Sequence, residues 1–567
     1  MGSGGKGTLG DALSSEMRAR IQRLREELET RARETISVQL RQPKPPWQEG
    51  VKPLSKEARF ARTIPTMPKG SSSSRPQGSR PSPRDTPRPA STRAASLARQ
   101  EAPRAEAEPS PRPFEFWDLP PEAAVREPPP TAASLVDRDS FDAMIAADPG
   151  AVASASGERL YAVIGLDFGT STTKVMVRFP YEAGSPVFAI PAPKHCLSMG
   201  HAYLWQTVLW LSKVGEFAAY PESDAHLLHA LKQGVMGPHA DIPIDSSDEG
   251  SPRATRAEAA AAFLAFVVRY TRGWLAKNQP RLFQKRWPVW FLHVGVPAAN
   301  FDDKTLLKSY RRVVATALLL ANDRAPITVE LARRFLADNL VSAAADSADD
   351  AAKLGVAVTP ETAAEAAGFA KSSNTAPGLY LLVDIGAMTL DVCTFRLVQD
   401  PPAADIYSLL TAQVRPLGVD AYHWFVGAGK TDEEFLEQCN RCLWKVVWRT
   451  RGSRDPNASA WKAGNALPIF LAGGGASNEL HCRIVQQLDP WLREHTDNQG
   501  IRLVNLPLPA NISPPIQEAD FSRLGVAWGL SFPPNEIGDF FPPSEIDDVP
   551  PPPRIDITGG FISKDQV

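Results

Sequence analysis

The chain has 567 residues, of which 43% are hydrophobic and 22% charged, and its formal net charge is −2. This balance gives no overall attraction to nucleic acids or membranes, and only five cysteines argue against a disulfide scaffold and favour a reducing compartment. The longest apolar run, 259–268, is much shorter than the ~18 residues of a membrane span, and the first residues lack the apolar segment of a secretory signal. The sequence therefore predicts a cytoplasmic protein.

The N-terminal part is expected to be an extended arm that carries one helix. Apolar residues recur every three or four positions over 14–40, which predicts a helix that docks on its own domain or binds another protein. Residues 41–157 are rich in proline and, over 41–100, in basic side chains, so they cannot bury enough apolar surface to fold. The segment 1–157 is therefore predicted to be disordered apart from the helix, without the interleaved aromatic residues that are typical of nucleic-acid binding. A short aromatic motif at 111–121 (PRPFEFWDLPP) is typical of an anchor on this protein or another.

The C-terminal segment 532–567 is again rich in proline, with four consecutive prolines at 550–553. Such a segment can adopt polyproline conformation and little else. We therefore expect the folded part to span about 158–531. Protein partners of unknown identity are expected to bind the arm or the tail, and no membrane partner is expected.

One pattern occurs twice in the folded part. The segments 161–179 (YAVIGLDFGTSTTKVMVRF) and 380–395 (YLLVDIGAMTLDVCTF) each contain an apolar strand, an aspartate, a glycine turn and a second strand. The two copies align at one constant shift in numbering, which pairs Asp167 with Asp384, Gly169 with Gly386 and Thr172 with Thr389. The sequence therefore contains an internal repeat, with one copy in each half of the core.

The two hairpins have the chemistry of a phosphate site. A glycine at the turn lets backbone N–H groups approach an anion, and the hydroxyl groups of Thr170, Ser171, Thr172 and Thr389 can donate to phosphate oxygens. An aspartate at the end of a buried strand is costly unless it binds a cation or its waters, and Mg²⁺ usually keeps several waters. Two such hairpins facing each other would hold a polyphosphate and its metal from both sides.

A third element lies at 468–480 (PIFLAGGGASNEL), where a buried strand leads through Gly473, Gly474 and Gly475 into a helix expected from Ser477. Three glycines allow a flat ligand to lie on bare backbone, and a helix N-terminus favours phosphate. Alone, this is a generic turn between a strand and a helix. After two phosphate hairpins, we interpret it as the seat of a nucleoside.

These three motifs, in this order, resemble those of the actin-like ATPase superfamily, and most of all the nucleotide-binding domain of the 70-kDa heat-shock chaperones. The segments 165–175 and 384–391 resemble its phosphate-1 and phosphate-2 loops, and the similarity extends over nearly all of 160–531. The resemblance implies a two-lobed α/β fold of duplicated ribonuclease H-like domains, each with a mixed five-stranded sheet. The lobes would span 158–378 and 379–531, with ATP and Mg²⁺ in the cleft between them.

The resemblance also implies roles for individual residues. Asp384 would orient the attacking water, Asp167 would hold Mg²⁺ through water, and Lys232 would point at the γ-phosphate unless it is an exposed helical lysine. The implied Mg²⁺ ligands are Asp167, Asp384, Asp391 and Glu361. The implied nucleotide contacts lie on the three glycine turns: Gly169, Thr170, Ser171, Thr172, Gly386, Ala387, Met388, Thr389, Gly473, Gly474, Gly475 and Ser477.

The chain departs from the family in the nucleotide loops. Ala387 and Met388 replace glycines of the phosphate-2 loop, and Ser477 stands where the family often has arginine. About 55 residues separate Gly418 from Gly473, fewer than the chaperones use for the subdomain that covers adenine. We therefore expect weaker nucleotide contacts or contacts supplied by other residues.

The expected function is ATP binding with slow Mg²⁺-dependent hydrolysis, coupled to closure of the lobes and to partner binding. The alternatives are a nucleotide-binding scaffold without turnover, an actin-like filament protein without chaperone activity, and a small-molecule kinase.

Extra helices are expected at 304–322 and 329–345. Because only about 36 residues follow Ser531, we expect no substrate-binding β-domain and no self-contained foldase.

Two further patterns are interpreted as structural. GAGKT (427–431) resembles a P-loop, but Trp424 stands where the first glycine is required. Cys439 and Cys442 lie in a predicted helix without a second cysteine pair, which favours two partly buried thiols over a zinc or redox site.

Overall fold

A computed structural model of the chain describes residues 15–48 and 138–550, except for 151–156, 199, 223, 237–239, 245–252, 298–302, 373–374, 400–404 and 428. The aromatic motif at 111–121, most of the predicted arm and the segment 551–567 lie outside the described residues. The described part is a mixed α/β structure with two large sheets and one small sheet.

The strands form three sheets. They are β1 Glu158–Phe168, β2 Thr172–Arg178, β3 Val187–Ala189, β4 Leu197–Ser198, β5 His201–Gln206, β6 Leu209–Leu211, β7 Phe217–Ala218, β8 His226–Leu228, β9 Arg286–Val296, β10 Val356–Pro360, β11 Gly378–Ile385, β12 Leu390–Val398, β13 Ile406–Arg415, β14 Leu467–Ala472, β15 Ile501–Val504 and β16 Asp539–Phe541. The first sheet has the order β10-β9-β1-β2-β5-β4, with β3 paired to β2, and the second has the order β15-β14-β11-β12-β13-β16. The small sheet has the order β7-β6-β8.

Five strands of each large sheet share the same order and the same directions. In the first sheet β5, β2 and β1 are antiparallel neighbours, and β9 and β10 follow in parallel to β1. In the second sheet β13, β12 and β11 are antiparallel, and β14 and β15 follow in parallel to β11. The hairpins β1–β2 and β11–β12, which carry the repeated motif, therefore occupy equivalent places in two similarly built sheets.

Helices cover both large sheets, which explains why the central strands are nearly continuous apolar runs. The helices are α1 Ser15–Leu40, α2 Arg138–Ala146, α3 Leu231–Met236, α4 Arg256–Asn278, α5 Lys304–Asn322, α6 Val329–Leu336, α7 Asn339–Asp346, α8 Ala348–Lys353, α9 Glu361–Ala370, α10 Val419–Gly427, α11 Asp432–Arg449, α12 Glu479–His495, α13 Glu518–Phe521, α14 Gly525–Leu530 and α15 Pro534–Ile537. Within the described ranges, no helix combines the length and the apolar character that crossing a membrane requires.

Helices α9 and α14 cross where the two large sheets meet. A Cβ atom at Gly529 in α14 would lie 1.8 Å from the carbonyl oxygen of Ala364 in α9, so only glycine permits this approach. Ala366 of α9 and Ala527 of α14 belong to one buried cluster with Met176 of the first sheet and Tyr380 of the second. The two sheets therefore share a core next to the hairpins.

The helix predicted over 14–40 is confirmed as α1, and it docks on its own domain. Ala32 and Ile36 are buried, as the apolar periodicity predicted. Arg31 forms an ion pair with Asp323 at 2.7 Å, and the Gln39 side chain donates to a backbone carbonyl at 2.7 Å. Of the two interpretations of this helix, intramolecular docking is the one observed.

Three expectations about boundaries are wrong. Helix α2 lies inside the predicted disordered arm, because Phe141 is buried and stacks on Tyr270 at 5.6 Å. The same arm contributes the buried Trp47, which stacks on Tyr181 at 5.8 Å. Strand β16 lies inside the predicted proline-rich tail and pairs in parallel with β13, so the folded part continues beyond 531. The helix expected at 329–345 is divided into α6 and α7, because the Asp338 side chain caps a new helix.

The cysteine pair lies where the sequence placed it. Cys439 and Cys442 are both buried in α11, and they pack in the core cluster of the second sheet. Burial raises the pKa of Cys442 to about 12, so this thiol is not poised to react.

Candidate functional site

One cleft brings together both repeated hairpins, the third glycine turn and parts of α9 and α14. Its volume is about 790 Å³, including the part open to solvent. All of the site residues predicted from the sequence line this cleft, except Gly475 and Ser477. The structure places Gly475 behind the turn, where its N–H donates to Ile385 at 2.8 Å, and it leaves Ser477 exposed outside the cleft.

In the first hairpin, Asp167 and Lys174 are neighbours across β1 and β2. The Lys174 ammonium group donates to Asp167 Oδ2 at 2.7 Å. Burial opposes the charge of this ammonium group, but the carboxylates of Asp167, Asp384 and Glu361 outweigh it and raise the pKa of Lys174. Lys174 therefore places a positive charge at the wall of the cleft, although sequence analysis did not single it out.

In the second hairpin, Asp391 stands opposite Asp384 across β11 and β12. The constant shift between the two copies pairs Asp391 with Lys174, so the same place carries a carboxyl group in one hairpin and a cation in the other. Thr389 Oγ1 donates to Asp391 Oδ2 at 3.3 Å, whereas Asp391 Oδ1 is buried with no hydrogen-bond partner among the described residues. Burial and the nearby carboxylates of Asp384 and Glu361 raise the pKa of Asp391 well above its ordinary value.

Asp384 is partly exposed to the cleft and has a perturbed pKa. Burial raises the pKa of Asp384 to about 7, and the carboxylates of Asp167 and Glu361 add to the rise, while Lys174 and Lys232 oppose it. A carboxyl group with a pKa near 7 can accept a proton at neutral pH. This is the property that a general base requires.

The raised pKa of Asp384 predicts that the ligand-free protein loses stability as pH rises. A carboxyl group whose pKa is higher in the folded chain holds its proton longer there, so the free energy of unfolding falls between pH 3.8 and about 7. From pH 5 to 8 we expect Asp384 to lower the free energy of unfolding by a value on the order of 2 kcal/mol. Partial solvation of its carboxylate keeps this value below what the full pKa shift would give. Thermal unfolding of the wild type and Asp384→Asn at both pH values measures this difference. Equal losses of stability in the two proteins would contradict the prediction.

A second buried ion pair joins α3 to α9. Lys232 donates to Glu361 Oε1 at 2.6 Å, and both side chains are less than a tenth exposed. The interpretation of Lys232 as an exposed helical lysine is therefore wrong. Glu365, one turn after Glu361, also lines the cleft, and burial raises its pKa well above the ordinary value.

The turn of the second hairpin is held from behind by the start of α10. Three of its carbonyl oxygens accept backbone N–H groups: Gly386 from Val419 at 3.1 Å, Ala387 from Asp420 at 2.6 Å and Met388 from Gly418 at 3.1 Å. In a planar trans peptide, the next N–H group points opposite to the carbonyl group. The N–H groups of Ala387, Met388 and Thr389 therefore face away from α10, and these residues line the cleft. Successive N–H groups of this kind form an anion-binding concavity.

Thr207 holds the turn of the first hairpin in a similar way. Its hydroxyl group donates to the carbonyl oxygen of Gly169 at 3.0 Å, and its N–H donates to that of Ser171 at 2.9 Å. Because the peptide between Gly169 and Thr170 is planar, the N–H of Thr170 points away from Thr207. Thr207 could not be predicted from the sequence, because it follows β5 and no local pattern connects it with the hairpin.

The third turn approaches Asp384 closely. Gly473 has φ of +82°, and a Cβ atom there would lie 2.1 Å from Asp384 Oδ1. Any side chain at this position would therefore displace the carboxyl group. Next to it, a guanidinium nitrogen of Arg523 lies 3.2 Å from the position that a Cβ atom would take at Gly474. Arg523 thus lies against the bare backbone of the third glycine turn. The resemblance had implied Ser477 as the nucleotide contact that follows this turn.

The charges of the cleft favour a cation beside any bound phosphate. The carboxyl residues that line it are Asp167, Glu361, Glu365, Asp384 and Asp391, against the cations Lys174, Lys232 and Arg523. Asp391 Oδ1 and Glu365 Oε2 are buried without hydrogen-bond partners among the described residues, and such hard oxygen donors suit Mg²⁺. In the described ranges, no three His, Cys, Asp or Glu side chains converge closely enough to hold a metal by themselves. The residues therefore fit a metal ion that is also held by waters and phosphate oxygens.

The sequence of the chain matches no protein-family model and no curated protein.

Proposed function

We propose that the chain binds ATP with Mg²⁺ in this cleft and hydrolyses it slowly, with the two-lobed fold of the actin-like ATPase superfamily. The observation that carries the proposal is that Asp167 and Asp384, at matching positions of the two repeated hairpins, line the same cleft. The equal strand order of the two large sheets supports a duplicated ribonuclease H-like architecture. A single aspartate-glycine turn occurs in many proteins, but two equivalent turns that face one cavity suit a polyphosphate.

Binding would use both the backbone and the cations of the cleft. The N–H groups of Ala387, Met388 and Thr389 would donate to phosphate oxygens, and Lys174 would add a positive charge from the opposite hairpin. Arg523 and Gly474 would flank the nucleoside. When bound, Mg²⁺ neutralises charge on the phosphate oxygens.

Hydrolysis would depend on Asp384. Its carboxylate, with a pKa near 7, would orient the attacking water and accept its proton. Lys232 is held in place by Glu361 and would stabilise the charge that develops on the γ-phosphate. Closure of the lobes around the nucleotide would then be transmitted to a protein partner that binds the arm or the tail.

A scaffold that binds ATP without turnover is the second candidate. The observation that favours it is that both cleft lysines already form short ion pairs, Lys174 with Asp167 and Lys232 with Glu361. If a bound nucleotide left these pairs intact, neither lysine would reach the γ-phosphate. Phosphate release, measured alongside binding, separates the two candidates.

Isothermal titration calorimetry with Mg·ATP tests nucleotide binding. We expect the wild type to bind Mg·ATP at least tenfold more tightly than it binds adenosine, because the turns hold the phosphates. Gly473→Ala should weaken Mg·ATP binding at least about 100-fold, or about 2.7 kcal/mol, because its Cβ atom would lie 2.4 Å from the backbone carbonyl oxygen of Ile385 and would push the third glycine turn away from the second hairpin. The matched control is Gly427→Ala, where a Cβ atom meets open space. Equal affinities of the two variants would contradict the proposal.

A further inference from the structure

Helices α11 and α12 carry an exposed aromatic cluster formed by Trp444, Trp448, Trp491 and His495, here called the tryptophan cluster. The rings of Trp444 and Trp491 stack with centroids 6.1 Å apart, and those of Trp491 and His495 stack at 4.9 Å. The ring of Trp448 meets that of Trp491 edge-on at 6.1 Å. Trp448 is 54% exposed and Trp444 is 37% exposed, so large apolar ring faces meet solvent.

Trp444 and Trp448 lie outside the protein core, whereas Trp491 is partly buried and packs against the core of the second sheet. The opposite face of α11 supplies the core, where Cys439, Leu443, Val446 and Val447 are buried. Exposed tryptophans at i and i+4 on the outer face of the same helix are unfavourable in water, and such patches mark interaction sites. Indole rings with exposed faces are also typical of surfaces that bind proline-rich segments.

The C-terminal segment of the chain contacts the turn that immediately follows α11, the helix that carries Trp444 and Trp448. Arg454, just beyond α11, donates to the carbonyl oxygens of Pro543 and Ile546 and forms an ion pair with Asp548 at 2.8 Å. The N–H of Val549 donates to the carbonyl oxygen of Ser453 at 2.6 Å. The segment 543–549 is therefore fixed to the turn that immediately follows α11.

The sequence then continues with prolines 550–553, which favour the polyproline II conformation. Trp448 precedes Ser453 by five residues, or about 7.5 Å along a helix. Four residues of polyproline II span about 12 Å. The proline run is thus long enough to reach Trp448 from the point where Val549 is fixed.

We propose that prolines 551–553 bind the tryptophan cluster of the same chain as a polyproline II segment that continues from the exposed Pro550. The pyrrolidine rings pack against the exposed faces of Trp448 and Trp444, and the backbone contacts at Arg454 and Ser453 set the register. The cluster is then a binding site for proline-rich segments that the chain's own tail occupies. This inference is independent of what the cleft binds.

A competition experiment with full-length protein tests the proposal. The probe is a fluorescent peptide of residues 547–557, and the receptor is either the wild type or a variant in which Pro551→Ser, Pro552→Gly and Pro553→Ser are combined. The peptide should bind the variant at least tenfold more tightly, because in the wild type the tethered tail competes at a high effective concentration. Adding Trp448→Gln to the variant should abolish binding, whereas Trp424→Gln, at an exposed tryptophan outside the cluster, should not.

Two outcomes would overturn the proposal. If the peptide does not bind the proline-substituted variant, the cluster is not a site for this segment. If the peptide binds the wild type and the variant equally, the cluster recognises such segments but the chain's own tail does not occupy it.

Hydrogen exchange gives a second measurement that does not depend on the tryptophan variants. Amides in the last two turns of α11 should exchange more slowly in the wild type than in the proline-substituted variant, and equal rates would contradict the proposal.

Discussion

Asp384→Asn should lower the rate of phosphate release at least about 100-fold, because the variant loses the group that accepts the proton of the attacking water. Mg·ATP binding should change less than about fivefold, since asparagine keeps the size of the side chain and the amide contacts of the turns remain. In the wild type, kcat/KM should rise with pH through about 7, where Asp384 loses its proton in the free protein. That rise should be absent in the variant. A single-turnover assay with labelled ATP measures both the rate and its pH dependence.

The control for this experiment is Asp346→Asn, since Asp346 is an exposed carboxyl residue that pairs with Lys308 on the surface. It should release phosphate at the wild-type rate. If the wild type binds Mg·ATP but releases no phosphate, the scaffold without turnover replaces the ATPase. If Asp384→Asn releases phosphate as fast as the wild type, Asp384 is not the base.

Gly529→Ala should lower the free energy of unfolding by about 3 kcal/mol, at the upper end of what overpacking a core usually costs. The added Cβ atom would lie 1.8 Å from the carbonyl oxygen of Ala364, a backbone atom that cannot move without separating α9 from α14. Because these helices lie in the core that the two large sheets share, the substitution should also weaken Mg·ATP binding. Urea unfolding followed by circular dichroism measures the stability.

Gly427→Ala is again the matched control, because the same added atom meets nothing within 4 Å there. It should change the free energy of unfolding by less than about 0.5 kcal/mol. Similar unfolding midpoints for the two glycine variants would mean that α9 and α14 can separate at little cost.

The hairpins could be predicted from sequence because their signals are local. An apolar strand that ends in aspartate and glycine sets both the turn and the polar tip within one short segment, and the constant shift identifies the second copy. The structure brings these tips to one cleft, although sequence analysis expected that only from the resemblance. Lys174 could have been found with the same shift, since it takes the place of Asp391 in the other copy.

Glu365 and Arg523 could not be found in this way. Each is one charged residue on or next to a helix, and only the crossing of α9 and α14 brings them to the cleft. The predicted helix start at Ser477 was wrong for a different reason, since α12 begins at Glu479. Serine and asparagine are both favourable at a helix N-cap, and here Asn478 caps α12, so the turn continues past Ser477 and leaves it in solvent.

The order in which the strands and helices are synthesised has a consequence for folding in the cell. Strand β1 begins at Glu158, but it packs against α14, which is complete only once Leu530 has been added. Contacts this distant in sequence form late and at a high cost in chain entropy. While the ribosome is still translating, the first half of the chain therefore exposes an apolar surface that a much later segment will cover. We expect nascent chains of this protein to depend on cellular holding factors until the last helices have emerged.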